Sequence, residues 1–292
     1  MFSILLGIEL LLLTKPNDYS YKRKYIESHL DGIKMLFIGH SCFELGVDPS
    51  VLGDSVFNSA LSGRGAGNTW DVQFTEKYVP IMPNLKDLVL PLNYHTVYEI
   101  KSKGIKGDSF KCMSYKYLGL KTPPLSFIYW SEILNSKLDF WGRIANPILQ
   151  CDSLGQIKYE KEDRFDNWRT HHLPKISTDS IVNTRVLDDI LKIAQICEEN
   201  NIRLTIITTP VYITYQNLLT EKWKNDMATQ IENLQKAYPK VRYKNYTFDK
   251  RFIDDDFKDA GHLNEIGAKK FSEIIKEELF CREKTSGYEK DI

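Results

Sequence analysis

Short apolar runs that stop at turn residues, separated by stretches with helical spacing, constrain this chain more than any other feature. Met35-Leu36-Phe37-Ile38 is wholly apolar and ends at Gly39. A strand reads this way when helices cover both faces of a parallel sheet, because neither face can carry polar residues. Ser55-Val56-Phe57-Asn58, Leu88-Val89-Leu90-Pro91-Leu92 and Leu204-Thr205-Ile206-Ile207-Thr208 repeat the pattern, and Val241-Arg242-Tyr243 is a weaker fifth run. Between them, Ile181 to Glu199 carries apolar residues at Ile181, Val182, Val186, Ile190, Ile193, Ala194 and Cys197, with Asp179 or Ser180 placed to cap the start. Leu218 to Tyr238, Glu265 to Leu279 and Asn68 to Ile81 are also predicted helices. Strand alternating with helix predicts an α/β fold over residues 33–280, a three-layer α/β/α sandwich around a mainly parallel, flavodoxin-like sheet.

The remaining segments do not follow that alternation. Phe2 to Leu13 is almost wholly apolar, with Glu9 its only charge. Twelve helical residues reach about 18 Å, short of a bilayer core of roughly 30 Å. No basic start or small-residue cleavage site precedes Lys15, so the segment does not read as a signal peptide. Two readings stay open, a first core helix or a shortened membrane anchor, and the lack of a polar face favours the anchor. Residues 15–32 are polar and read as a linker or exposed helix. Lys101 to Ser177 holds many aromatics (Tyr115, Tyr117, Phe127, Tyr129, Trp130, Phe140, Trp141, Trp168) without a clear period, and reads as an insertion over the sheet edge. Residues 281–292 form a polar tail.

Charge and cysteine usage exclude several classes. Lys plus Arg and Asp plus Glu both number 39, so no net field gathers nucleic acid. Cys42, Cys112, Cys151, Cys197 and Cys281 are odd in number and unpaired in spacing, which suggests neither a disulfide framework nor a zinc site. No cofactor is implied.

In an open parallel sheet, ligands bind beyond the carboxyl ends of the strands. That rule selects Gly39-His40-Ser41, Ser62-Gly63, Asn93 and the loop after the last strand, which holds Asp259-Ala260-Gly261-His262. A serine hydroxyl is a poor nucleophile until a base takes its proton, and imidazole does so near neutral pH. A carboxylate on the far ring nitrogen fixes the tautomer and steadies the imidazolium.

With these motifs in this order the chain resembles the SGNH or GDSL hydrolase family, over most of residues 33–280 apart from the aromatic insertion. The family's Gly-Asp-Ser looks like Gly39-His40-Ser41, its second-block glycine like Gly63, its third-block asparagine like Asn93, and its Asp-x-x-His like Asp259 and His262. Two positions depart from the pattern: His40 stands where the family often has Asp, and Tyr94 replaces the Asp that usually follows the asparagine. The resemblance implies a serine esterase or O-acyltransferase with Ser41, Asp259 and His262 as catalytic residues. It assigns the oxyanion donors to the amides of Ser41 and Gly63 and the side chain of Asn93. More narrowly, the chain is similar to membrane-anchored members found beside bacterial surface-polysaccharide genes. That implies a carbohydrate ester substrate, an acyl-serine intermediate and a place in the cell envelope.

Other readings remain beside it. His95 and His40 are rival bases, and Asp256 a rival orienting acid. Gly63-Arg64-Gly65-Ala66-Gly67 lacks the spacing of a dinucleotide loop and the lysine of a P-loop. Adjacent His171-His172 rarely face one metal ion together. Cys42 reads as a buried thiol, and the Asn245-Tyr246-Thr247 sequon as chance. A non-catalytic protein of a polysaccharide assembly system would keep the fold and lose the activity.

Overall fold

Four of the runs become strands buried on both faces, where a pleated backbone must place apolar side chains on both, and the weaker fifth becomes a more exposed edge strand. In a computed structural model, which describes residues 2–62, 69–98, 113–121, 131, 133, 149–159, 168–171, 173–174 and 182–281, these strands are β1 (Met35–Phe37), β2 (Val56–Asn58), β3 (Asp87–Pro91), β4 (Arg203–Thr208) and β5 (Arg242–Asn245). They form one parallel sheet in the order β2-β1-β3-β4-β5. Leu36, Phe37, Leu88, Val89, Leu90, Ile206 and Ile207 are fully buried at its centre.

The helices in chain order are α1 (Phe2–Thr14), α2 (Asp18–Ser28), α3 (Ser41–Gly46), α4 (Pro49–Leu52), α5 (Thr69–Tyr78), α6 (Thr184–Glu199), α7 (Ile213–Gln216), α8 (Glu221–Ala237) and α9 (Glu265–Ile275). The connection from β1 to β2 runs opposite to the later ones across the sheet. Right-handed crossovers therefore place its helices on the other face. α9 packs on α3 and α4, while α6 packs on both α5 and α8, giving the expected three layers.

Three details differ from expectation. The polar stretch read as a linker or exposed helix is helix α2, but docked into the body of the protein. Asn17 caps it in a reciprocal pair with Ser20, Lys22 and Ile26 are fully buried, and Tyr25 stacks on Phe57 at 4.2 Å. The sequence hid this because one of the two residues on the buried stripe is a lysine. The start of α6 moves to Thr184 with Asn183 as its cap, since Val182 is held extended by pairing with Tyr98; Asp179, Ser180 and Ile181 lie outside the described residues. The loop after β5 contains an antiparallel pair, β6 (Phe257–Asp259) and β7 (His262–Leu263), too short for its pattern to be read.

Of the aromatic insertion, residues 149–159 lie along β2 and α3, on the Ser41 side of the sheet. The amide of Asn58 donates to Leu154 O at 3.0 Å, and that of Ile157 to Glu44 O at 3.0 Å. Gly155 sits at φ +88°, where a Cβ would run into the Asn58 carbonyl. Phe127, Tyr129, Trp130, Phe140, Trp141, Cys112, the 63–67 glycine loop and the tail beyond 281 lie outside the described residues.

Candidate active site

Ser41 stands at a sharp strand-to-helix turn between the two central strands. The Ile38 amide donates to Val89 O at 3.0 Å and so keeps the chain in the sheet until Gly39. Gly39 turns at φ +119°, a region open to glycine and costly for other residues, and its carbonyl accepts the Leu61 amide at 2.9 Å. His40 is then extended and caps α3, its ring Nδ1 accepting the Cys42 amide at 3.5 Å. Ser41 is the first residue of that helix, where backbone amides have no intrahelical acceptor. Connections leave β1 and β3 in opposite directions, which opens the crevice beyond this turn.

His262 reaches Ser41 from the far end of the chain. In the β6–β7 pair, Asp259 lies opposite His262. His262 Nε2 is 2.8 Å from Ser41 Oγ, and its Nδ1 is 2.8 and 3.1 Å from the two oxygens of Asp259. The Gly261 amide donates to Asp259 Oδ1 at 2.9 Å, holding the carboxylate in place, and Asp259 is 2% exposed. Burial alone disfavours the imidazolium, but the hydrogen-bonded Asp259 carboxylate, with the Cys42 sulfur beside it, outweighs burial and raises the His262 pKa from 6.5 to about 10.

The rival bases are occupied elsewhere. His95 Nδ1 is 2.9 Å from Tyr215 Oη, and burial together with His262 lowers its pKa to about 4, so it is neutral at ordinary pH. His40 serves as the helix cap. Asp256, the rival acid, pairs with Lys270 at 2.6 Å and accepts the Ile253 amide at 2.8 Å. Asn93 is buried where β3 ends, with Oδ1 accepting from the amide and hydroxyl of Thr209 and Nδ2 donating to Cys42 Sγ at 2.9 Å. One of its two amide hydrogens is therefore engaged by a neighbour of the nucleophile. Tyr94 is buried and its hydroxyl accepts from Asn245 Nδ2 at 3.0 Å. Gly63 and His172 lie outside the described residues. Cys42, Cys151 and Cys197 are free thiols, and burial pushes the last two up to about 12.

Two residues that sequence reasoning missed complete the neighbourhood. Glu44, one turn along α3 from Ser41, accepts from Lys22 Nζ at 2.8 Å with one oxygen and from the Ser62 amide at 2.6 Å with the other. Lys22 also donates to the carbonyl of Ala60. The side chains of this ion pair are 0% and 2% exposed. The pair thus clamps three segments: α2, α3 and the 60–62 turn. The three-residue spacing of Ser41 and Glu44 was a visible signal; Lys22 offered none.

A cavity of about 500 Å³ opens over the serine and histidine. Asp18, Tyr19, Ser62, Gln150, Tyr159 and Lys258 line it together with Ser41, Glu44, Asp259 and His262, and Leu45, Leu61 and Ile157 supply an apolar part of the wall.

No protein-family model and no curated protein matches the chain. Among solved structures it is similar to a protein from Streptococcus pneumonia provisionally described as a platelet activating factor, at 13% identity over 94% of each chain with a TM-score of 0.46. It is similar also to a provisionally assigned acylhydrolase from Bacteroides fragilis, at 10% identity over 87% of this chain and 93% of that one, TM-score 0.43. A GDSL-like lipase from Bacteroides thetaiotaomicron matches at 11% identity over 89% of this chain and 97% of that one, TM-score 0.43.

Proposed function

We propose that the protein is a serine-dependent ester hydrolase of the SGNH/GDSL kind, acting on an acyl ester of a carbohydrate through an acyl-serine intermediate. The observation that carries this reading is the continuous chain from Ser41 Oγ to His262 Nε2 at 2.8 Å and from His262 Nδ1 to Asp259 at 2.8 Å. In the first step His262 takes the serine proton as Oγ attacks the ester carbonyl, while Asp259 steadies the imidazolium. The oxyanion is received by the Ser41 amide, with Gly63 and Asn93 as the other donors. Collapse expels the alcohol, which takes its proton from His262. Water, deprotonated by the same imidazole, then releases the acid. A sugar hydroxyl in place of water makes the enzyme an O-acyltransferase without altering the residues.

Support for a carbohydrate lies in the cavity, which is sugar-sized and lined by hydrogen-bonding groups and two tyrosine rings beside the aliphatic Leu45, Leu61 and Ile157. The exposed apolar side chains of α1, Ile4, Leu5, Leu6, Leu10 and Leu11, support association with a lipid surface and with it a place in the cell envelope. No helix among the described residues is long and apolar enough to cross a membrane.

A fluorophosphonate probe tests the enzyme. It should label the wild type and fail to label Ser41→Ala, with labelling in His262→Ala slowed by roughly a hundredfold or more. No labelling of folded wild type would favour the competing reading, a non-catalytic assembly protein, for which the bond from Asn93 to Cys42 speaks. Equal rates on acetylated polysaccharide and on simple acetate esters would count against the sugar.

A further inference from the structure

Lys258 immediately precedes Asp259 on β6 and lines the same cavity as Ser41 and His262. Its Nζ lies 3.5 Å from the centre of the Tyr159 ring. The carboxylates of that cavity are all committed. Asp18 Oδ1 accepts the amides of Gln150 and Cys151 at 2.7 and 2.9 Å. Glu44 is neutralised by Lys22 and holds the Ser62 amide. Asp259 is divided between His262 and the Gly261 amide. Among the described residues, none of these acids or any other forms an ion pair with Lys258.

An ammonium resting on an aromatic face at a partly exposed site gains only a weak electrostatic attraction. The ring fixes where the charge sits without satisfying it, since the ammonium has three hydrogens to donate. We propose that Lys258, seated on Tyr159, is an anion subsite, so that the preferred substrate is an acyl ester whose sugar unit carries a carboxylate or a phosphate. The proposal rests on the esterase reading of Ser41. Lys258 acts on binding and specificity, and takes no part in moving protons at the ester.

Three matched acetate esters test it on the full chain: an acetylated methyl glucoside, which is neutral, an acetylated methyl glucuronide, and an acetylated glucose phosphate. In the wild type at low salt, kcat/KM for at least one anionic ester should exceed that for the neutral one by about tenfold or more, the scale of a charge-assisted hydrogen bond. Which anion leads tells carboxylate from phosphate. Raising the ionic strength should shrink the ratio. Lys258→Gln should bring it near one, Lys258→Arg should keep it, and Lys258→Glu should turn it below one. A wild-type ratio near one for both anions, or an unchanged ratio in Lys258→Gln, overturns the subsite while hydrolysis of the neutral ester leaves the esterase reading standing. No hydrolysis of any of the three overturns that reading and the subsite with it.

Discussion

His262 is held between the Ser41 hydroxyl and the Asp259 carboxylate, and in the proposed esterase its titration sets when the site can work. The base is the neutral ring, so activity should rise with pH as the imidazolium loses its proton. Because Asp259 and Cys42 raise that pKa from 6.5 to about 10, the acid limb of kcat/KM should lie above pH 6.5 and the enzyme should favour alkaline conditions. Asp259→Asn removes the main support for the charged ring and leaves burial, which acts in the opposite direction. Its acid limb should therefore move to lower pH, while the plateau falls by roughly a thousandfold or more as the ring loses its fixed tautomer. A pH profile of kcat/KM with the limb unmoved would show that Asp259 does not govern the histidine. His40 and Tyr94, the two departures from the family pattern, have local tasks here, capping α3 and receiving Asn245. Neither stands between Ser41 and His262.

Among the described elements, α1 carries an apolar surface that packing on the described residues does not cover. Its single charge, Glu9, accepts from the Ser131 hydroxyl at 2.8 Å and the Ile133 amide at 3.1 Å, and Leu12 is buried, so the remaining face is apolar and exposed. Burying five such side chains in the outer part of a bilayer is worth several kcal/mol at about 25 cal/mol per Å². The wild-type protein should float with phosphatidylcholine vesicles in a density gradient, and Leu6→Lys with Leu10→Lys should stay behind while keeping its far-ultraviolet spectrum. Equal flotation of the two proteins would remove the membrane from the account. The helix was legible in the sequence as an apolar run, but whether it formed part of the core was not, because that depends on what lies beside it. The β6–β7 pair was illegible for another reason: two or three residues are too few to show a period.

Across the whole molecule, the buried Lys22–Glu44 pair makes the N-terminal α2 part of the α/β domain instead of a tether to it. Lys22→Ala would leave Glu44 charged and unmatched in the interior, at a cost of about 3–5 kcal/mol, whereas Lys22→Met with Glu44→Gln should recover part of the loss. Urea titration of the full chain reads this, and a loss below about 1 kcal/mol would mean that α2 is not integral. The local pattern of the sequence determined five strands, their alternation with helices, and the order of Ser41, Asn93, Asp259 and His262 at strand ends. It could do so because apolar periodicity and turn residues act over a few neighbouring positions. Tertiary structure alone decided that Ser41 and His262, 221 positions apart, meet at hydrogen-bond distance, and that Lys22 lies buried against Glu44 instead of in solvent. The burial and pairing of a charge depend on which distant segments surround it, and no local pattern carries that information.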